Sequence, residues 1–426
     1  MLFFLKKQVF TCFFIPLPYN DKEKDMEELT IESIFTNYMR KVEATSTTFH
    51  RYLYKQIQWD AWVIGIKGAR GVGKTTLLLQ HIKEAFSDKT KALYVSLDNI
   101  WFANHSLTDL VEYFYTHGGT HLFIDEVHKY PMWDRVIKNL ADDYSNLHIV
   151  YTGSSMLQID NNQGDMSRRQ IVYTLREMSF REYLEFEGIY KRDAISLEQL
   201  LANHVTIATQ ITSSIKVLPL FEQYLKYGCY PFYKRDSIEF ESRLQEVINQ
   251  ILYTDLPAVE DVSFATIQKT RRLLMILAER VPQTPKMTEL YNALESSREQ
   301  GLKMLYALER ASLINLITTE PKNVKSLVKP NKILLGNPNL MYALSPIAEI
   351  GTIREAFFVN QLSAIAEVLY PNKGDFYVNR KYLFEVGGRK KSFEQIKDEP
   401  NSFLAVDATE IGHFSRIPLW MFGLLY

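Results

Sequence analysis

Gly68-Ala69-Arg70-Gly71-Val72-Gly73-Lys74-Thr75 decides the fold of this chain. It fits G-x4-G-K-[ST] at every fixed position, an apolar run from Trp62 to Ile66 precedes it, and a helical pattern from Thr75 to about Phe86 follows. Phosphate chemistry needs that order. Glycines let backbone N–H groups close around phosphate oxygens, the lysine reaches the β and γ oxygens, and the hydroxyl holds magnesium. Gly68 to Thr75 and the adjoining Thr76 are therefore the expected contacts to a nucleoside triphosphate, with Thr75 on the metal. Such a loop opens an α/β domain built on a parallel sheet.

About fifty residues on, Leu122-Phe123-Ile124 reads as a short buried strand, with Asp125 and Glu126 at its carboxyl end, where a parallel sheet presents its ligands. Asp125 is expected to hold magnesium through water, and Glu126 to act as the base that polarises the attacking water. The plainer alternative is an acidic pair opening an exposed helix. A third apolar strand, His148 to Tyr151, ends in Thr152-Gly153-Ser154-Ser155, which makes Ser154 a candidate contact to the γ-phosphate or its water; a strand exit of this composition is otherwise ordinary. After a polar loop, Arg168-Arg169 precede the strand Ile171 to Leu175. Either arginine is a candidate for stabilising charge on the transferring phosphoryl group, in cis or on a neighbouring subunit, and surface ion pairing is the competing role.

Further runs stand in a fixed order around these motifs: Tyr94-Val95-Ser96-Leu97-Asp98, Ile124-Asp125-Glu126-Val127-His128-Lys129-Tyr130 with Trp133, Gly153-Ser154-Ser155, Ser167-Arg168-Arg169 and Ser179-Phe180-Arg181-Glu182-Tyr183-Leu184. With them the chain resembles prokaryotic AAA-type ATPases. It resembles most a bacterial and archaeal family of ATP-binding proteins that carry an uncharacterised C-terminal domain with nuclease-like features. The resemblance runs from about Met26 to the end and includes Phe384-Glu385-Val386-Gly387-Gly388. It implies ATP and Mg2+ as cofactors and adenine rather than guanine; the sequence has no N-K-x-D-type base-recognition string. It assigns no biological role.

The chain has 426 residues, 46% of them apolar and 23% charged, as in a globular protein of two or three domains. Its net charge of −1 provides no global field toward nucleic acid or an anionic membrane. Cys12 and Cys229 are too few and too far apart for a disulfide framework or a zinc site, which suits a reducing cytoplasm. Met1 to Tyr19 is apolar and aromatic around Lys6 and Lys7, yet Pro16 and Pro18 interrupt it and no small-residue cleavage site follows. Residues 1–25 read as an over-extended start, with Met26 as the natural first residue; a peripheral anchor is the other reading.

Residues 26–195 are expected to form the ATPase domain, and 196–262 a helical lid and connector in which Cys229 packs rather than reacts. Residues 263–345 follow a winged-helix order: Thr266 to Glu279, Met287 to Leu294, Ser297 to Glu309, then two short apolar runs. In that order Arg298, Glu299, Gln300 and Lys303 would face DNA, with Lys322, Lys325 and Lys329 on the wing. Winged helices also serve as connectors, so DNA stands beside an unknown protein, or further copies of the chain, as the expected partner. Residues 346–426 begin with a helix, Ile353 to Leu369, and continue as strands, of which Ile417 to Phe422 is the last. Asp375 and Glu385 resemble the paired metal-binding carboxylates of a restriction-endonuclease-like fold, but Gly387 stands where a lysine is needed, and Lys390 and Lys391 lie farther on. A degenerate nuclease core, inactive in cleavage, is the expectation. The function expected overall is ATP hydrolysis that switches the C-terminal modules; the alternative is a nucleotide-gated DNA-binding module with little hydrolysis of its own.

Overall fold

A computed structural model describes residues 21–153, 170–235, 239–258, 262–279, 286–320, 328–345, 347 and 349–426. Met1 to Tyr19, Ser154, Arg168, Arg169, Lys322 and Lys325 lie outside them. Helix α1, Asp21–Ala44, runs without interruption through Met26.

Five strands, β1 (Val63–Lys67), β2 (Ala92–Ser96), β3 (His121–Asp125), β4 (His148–Gly153) and β5 (Gln170–Thr174), form one parallel sheet in the order β5-β1-β4-β3-β2. Both faces of a parallel sheet are covered by crossover helices, so its inner strands tolerate no polar alternation. Val63, Ile64, Ile66, Leu122, Phe123 and Ile124 are accordingly fully buried. Helices α2 (Lys74–Ala85), α3 (Leu107–Thr116) and α4 (Trp133–Asp143) make the crossovers, and α1 lies over α2 and β2 through Ile34, Tyr38 and Val42. The loop of Gly68 to Gly73 therefore emerges at the carboxyl edge, beside the ends of β3 and β4.

Histidines close the opposite edge. His81 stacks on Trp59 with ring centroids 3.8 Å apart, and His121 stacks on His148 at 4.7 Å. Burial is the main cause that depresses both His81 and His121 to about 4, with the neighbouring imidazole adding to it. A histidine held neutral in the fold takes up its proton on unfolding below its ordinary pKa. Stability should therefore be full above pH 6.5 and fall as the pH drops toward 4, by at most about 1.4 kcal/mol per pH unit for each histidine. Urea unfolding at pH 7 and pH 5 reads this; equal midpoints would remove the histidines from the stability balance.

Beyond the sheet come α5 (Phe180–Phe186), α6 (Leu197–Thr212), α7 (Val217–Gln223) and α8 (Phe240–Gln250), which continues as a wider turn over Ile251–Asp255. Cys229 is buried between these helices, its amide donating to Asn339 Oδ1 at 2.8 Å, and burial pushes its thiol up to about 12. A thiol so held is a packing group. Then follow α9 (Phe264–Glu279), α10 (Met287–Ala293), α11 (Arg298–Arg310) and an antiparallel hairpin of β6 (Ile314–Ile317) and β7 (Lys332–Leu335). On α11 the residues Arg298, Glu299, Gln300 and Lys303 are exposed, as is Lys329. Lys303 pairs with Glu299 at 2.7 Å.

Helices α12 (Pro338–Leu344) and α13 (Ile350–Leu362) lead to a second sheet. Its strands are β8 (Val368–Leu369), β9 (Phe376–Val378), β10 (Tyr382–Gly387), β11 (Ser402–Val406) and β12 (Arg416–Pro418), in the order β12-β11-β10-β9-β8. β10, β11 and β12 are parallel, and β8, β9 and β10 antiparallel. The last strand is shorter than the sequence suggests. It ends at Pro418, which has no N–H for the ladder, and Leu419–Leu424 winds into tight helical turns. An apolar run buried on every side reads alike as strand or helix, and here Trp420 packs on Phe180 and Phe422 on Phe358. One continuous apolar core extends from Ile34 to Leu425. Among the described residues no helix is long and apolar enough to cross a membrane.

Candidate functional site

The loop between β1 and α2 turns through two left-handed glycines, Gly71 at φ +84° and Gly73 at φ +99°, where a side chain would be strained. A Cβ on Gly71 would also stand 2.7 Å from the Phe232 ring, so the segment after α7 lies directly on the loop. Lys74 is buried and donates to the Gly68 and Ala69 carbonyls, each at 2.9 Å. Burial pulls its pKa down, and the charges of Glu126 and Asp125 oppose that shift. Thr75 Oγ1 donates to Asp125 Oδ2 at 2.5 Å. Asp125 also accepts from Tyr94 Oη at 2.9 Å and from the Thr152 hydroxyl, which holds its carboxylate at the end of β3. The loop, Lys74, Thr75 and Asp125 thus meet as the sequence expects, and Thr76 lines the same cavity.

Glu126 follows in the left-handed region, φ 57° and ψ 43°, a conformation that costs about 1–2 kcal/mol for a residue with a Cβ. It turns the carboxylate out of the strand direction. Glu126 Oε2 is buried without a hydrogen bond, and His128 Nε2 stands 3.5 Å from it. The same nitrogen is 3.6 Å from Asp255 Oδ1. Asp255, at the end of the turn after α8, also meets Arg70 of the loop and Lys129, each at 3.2 Å. Although burial opposes it, His128, Arg70 and Lys129 together hold the Asp255 carboxyl down at about 2. Sequence reading missed His128 and Asp255, which only the fold brings to the loop.

A cavity of about 800 Å³ opens over Gly71, Gly73, Lys74 and Thr75. Its far wall is apolar, with Phe49, Leu79, Phe186 and Phe232, and Lys41, Gln80, Glu126 and Lys234 add polar groups. That size and lining suit a small-molecule ligand. Gln80 Nε2 donates to the Ser46 and Phe49 carbonyls at 2.8 Å and so fixes the wall that follows α1. Arg51, 5% exposed, pins that wall to the loop. Its guanidinium donates to Glu182 Oε1 at 2.9 Å and Oε2 at 3.2 Å, to the Arg176 carbonyl at 2.7 Å, and to the Val72 carbonyl. Glu182 closes the capping box of α5 with Ser179, so the Ser179-Phe180-Arg181-Glu182 run is the anchor of the nucleotide loop's supporting arginine.

Among the described residues no three His, Cys, Asp or Glu side chains gather as a metal site. The Thr75 and Asp125 oxygens fit a hard cation that takes the rest of its shell from phosphate and water.

Residues 61–184 match the family described as AAA domain, and residues 218–350 match a domain of unknown function, DUF8612. An uncharacterized protein of Methanocaldococcus jannaschii, MJ1637, is 28% identical over 284 residues, 64% of this chain and 60% of its own length. The chain thus spans less than two thirds of that relative. A second uncharacterized protein of the same organism, MJ1544, is 24% identical over 352 residues, 79% of this chain and 74% of its own. Among solved structures, AMPPCP-bound DnaA from Aquifex aeolicus is 14% identical across 60% of this chain and 84% of its own, with a TM-score of 0.25. PCH-2 of C. elegans is 16% identical across 42% and 49%, with a TM-score of 0.24. The assignment rests on the family match and on the strand order that sets loop, lysine and acids on one edge: residues 61–184 are a P-loop domain of the AAA-type ATPase family.

Proposed function

We propose that this chain binds ATP and magnesium in the cavity above Gly71 to Thr75, hydrolyses the γ-phosphate bond with Glu126 as base, and conveys the nucleotide state to its C-terminal half through Asp255. One observation carries the reading: Thr75 and Asp125 meet at 2.5 Å beside a buried Lys74, while the neighbouring Glu126 Oε2 is left without a hydrogen bond. Magnesium, when bound, neutralises the phosphate oxygens and orients them for attack. Thr75 and Asp125 would hold it. Lys74 exchanges two loop carbonyls for the β and γ oxygens, and backbone amides of the loop hold the β-phosphate. Glu126 takes the proton of the attacking water. The apolar wall of Phe49, Phe186 and Phe232 suits a flat base.

Magnesium-dependent ATP turnover by the full chain tests this, with Lys74→Ala as the variant expected to lose binding and turnover together. Tighter binding of GTP than ATP would remove the adenine reading.

Asp255 carries the switch. ATP should alter amide hydrogen exchange over residues 239–258, and Asp255→Asn should remove that change while ATP still binds. Exchange in that segment indifferent to ATP would reduce the function to binding and hydrolysis alone. A second reading, a nucleotide-gated DNA-binding module, is supported by the exposed face of α11, although Glu299 answers the charge of Lys303. Duplex DNA added to the turnover assay, at low and high salt, tests it.

A further inference from the structure

The turn after β10 returns a lysine to the place where the sequence spacing lacks one. Gly387 stands two residues after Glu385, and the Lys391 side chain lies across it: a Cβ on Gly387 would come within 2.8 Å of Lys391 Cγ and Cδ. The Lys391 ammonium thereby reaches 3.1 Å from Glu385 Oε2 and 3.6 Å from Asp375 Oδ2. The turn is fixed from two sides. Lys391 N donates to the Gly388 carbonyl at 2.9 Å, and Arg416 donates to the Lys391 and Arg389 carbonyls at 3.0 and 2.9 Å. Asp375 Oδ2 accepts from the Val386 amide at 2.8 Å, which aligns it with β10.

Glu385 is 1% exposed, and its Oε1 is buried with no hydrogen-bond partner. A buried carboxylate oxygen without a donor is destabilising unless a cation or other ligand satisfies it. Asp375 and Glu385 already share one cation, the ammonium of Lys391, and hard carboxylate oxygens suit Mg2+ or Mn2+, which keep water and substrate phosphate oxygens in most of their shell. The same turn exposes Arg389 and Lys390 at the rim, which favours a polyanion over a small neutral substrate.

We propose that Asp375, Glu385 and Lys391 form a second hydrolytic site, separate from the nucleotide cavity, that cleaves nucleic-acid phosphodiesters with a divalent cation. Asp375 and Glu385 Oε1 hold the cation, and Lys391 orients the attacking water. The water oxygen forms the new bond to phosphorus, and the P–O3′ bond breaks. One proton passes from the attacking water to solvent, and the departing 3′ oxygen takes one from solvent water. Arg389 and Lys390 hold the flanking phosphates. This reading replaces the degenerate core expected from spacing alone.

The test uses the full chain without nucleotide, carrying Lys74→Ala and Asp125→Asn so that the P-loop site holds neither nucleotide nor cation and failure of the ATPase reading leaves the result interpretable. Bound Mn2+ is counted by electron paramagnetic resonance, and cleavage is followed on labelled single- and double-stranded DNA and RNA. One Mn2+ site is expected, lost in Glu385→Gln and in Asp375→Asn and kept in Lys391→Ala. Cleavage should fall by about 100-fold or more in all three. The substrate cleaved fastest identifies the polynucleotide. With the native Lys74 and Asp125, Lys391→Ala should leave ATP turnover unchanged. No Mn2+ bound in the parent, or cleavage that persists in Glu385→Gln and Asp375→Asn, would overturn the site; near-ultraviolet circular dichroism shows that each variant compared is folded.

Discussion

Glu126→Gln is expected to slow ATP turnover by about 10² to 10⁴-fold while ATP affinity stays within about threefold of the parent. The amide has the same shape and no capacity to take a proton at neutral pH. Because Glu126 Oε2 accepts no hydrogen bond, the substitution takes no acceptor away from a buried donor there. Lys74, Thr75 and Asp125 keep their contacts, so binding is preserved. Single-turnover hydrolysis, together with titration of a fluorescent ATP analogue, separates the two quantities. Parent-like turnover in Glu126→Gln would move the base elsewhere, whereas loss of affinity would make Glu126 a binding group.

The largest stability effect is expected at Arg51. Replacing it with methionine leaves Glu182, 1% exposed at its side chain, as a buried charge without its cation, a change that destabilises by about 3–5 kcal/mol. The pair itself is worth less than that figure. Removing both charges, with Arg51→Met and Glu182→Gln together, should recover a large share of the loss, because the penalty lies in the stranded carboxylate. Urea unfolding of the two variants against the parent reads this. Nucleotide affinity should also fall in Arg51→Met, since the Val72 carbonyl of the loop loses its support. A single-variant loss below about 1 kcal/mol would mean that water reaches Glu182 freely.

What was legible in the sequence is the chemistry carried by neighbouring residues. Gly68 to Thr75 and Leu122 to Glu126 each contain, within a few positions, the whole pattern their geometry needs, and the structure sets them together. Cys229 was legible for a related reason: no basic or histidine residue stands next to it in the chain, and in the fold its amide and thiol meet Asn339 and Tyr224. Arg51 and Glu182 are 131 positions apart, and Arg70 and Asp255 are 185 apart, so neither pair leaves a local signature. Phe232 on Gly71 is hidden in the same way. The lysine of the C-terminal site escaped because spacing was counted along the strand, whereas Lys391 arrives by a turn that doubles back over Gly387. Helix α13 begins at Ile350 rather than Ile353 because Glu349 accepts from the Thr352 amide as its cap, a role more often given to Ser, Thr, Asp or Asn. Ser154, Arg168 and Arg169 lie outside the described residues, and their roles stay as the sequence states them.

Asp255 has a consequence that extends past catalysis. It is the only carboxylate the described residues bring to Arg70, and it sits on the segment that leads into the C-terminal half. Thermodynamic linkage is symmetrical: if ATP weakens that contact and shifts the 239–258 segment, a ligand that pulls the segment away must change ATP affinity by the same factor. A binding partner of the C-terminal half could then be recognised without being isolated, by the displacement it produces in a nucleotide titration.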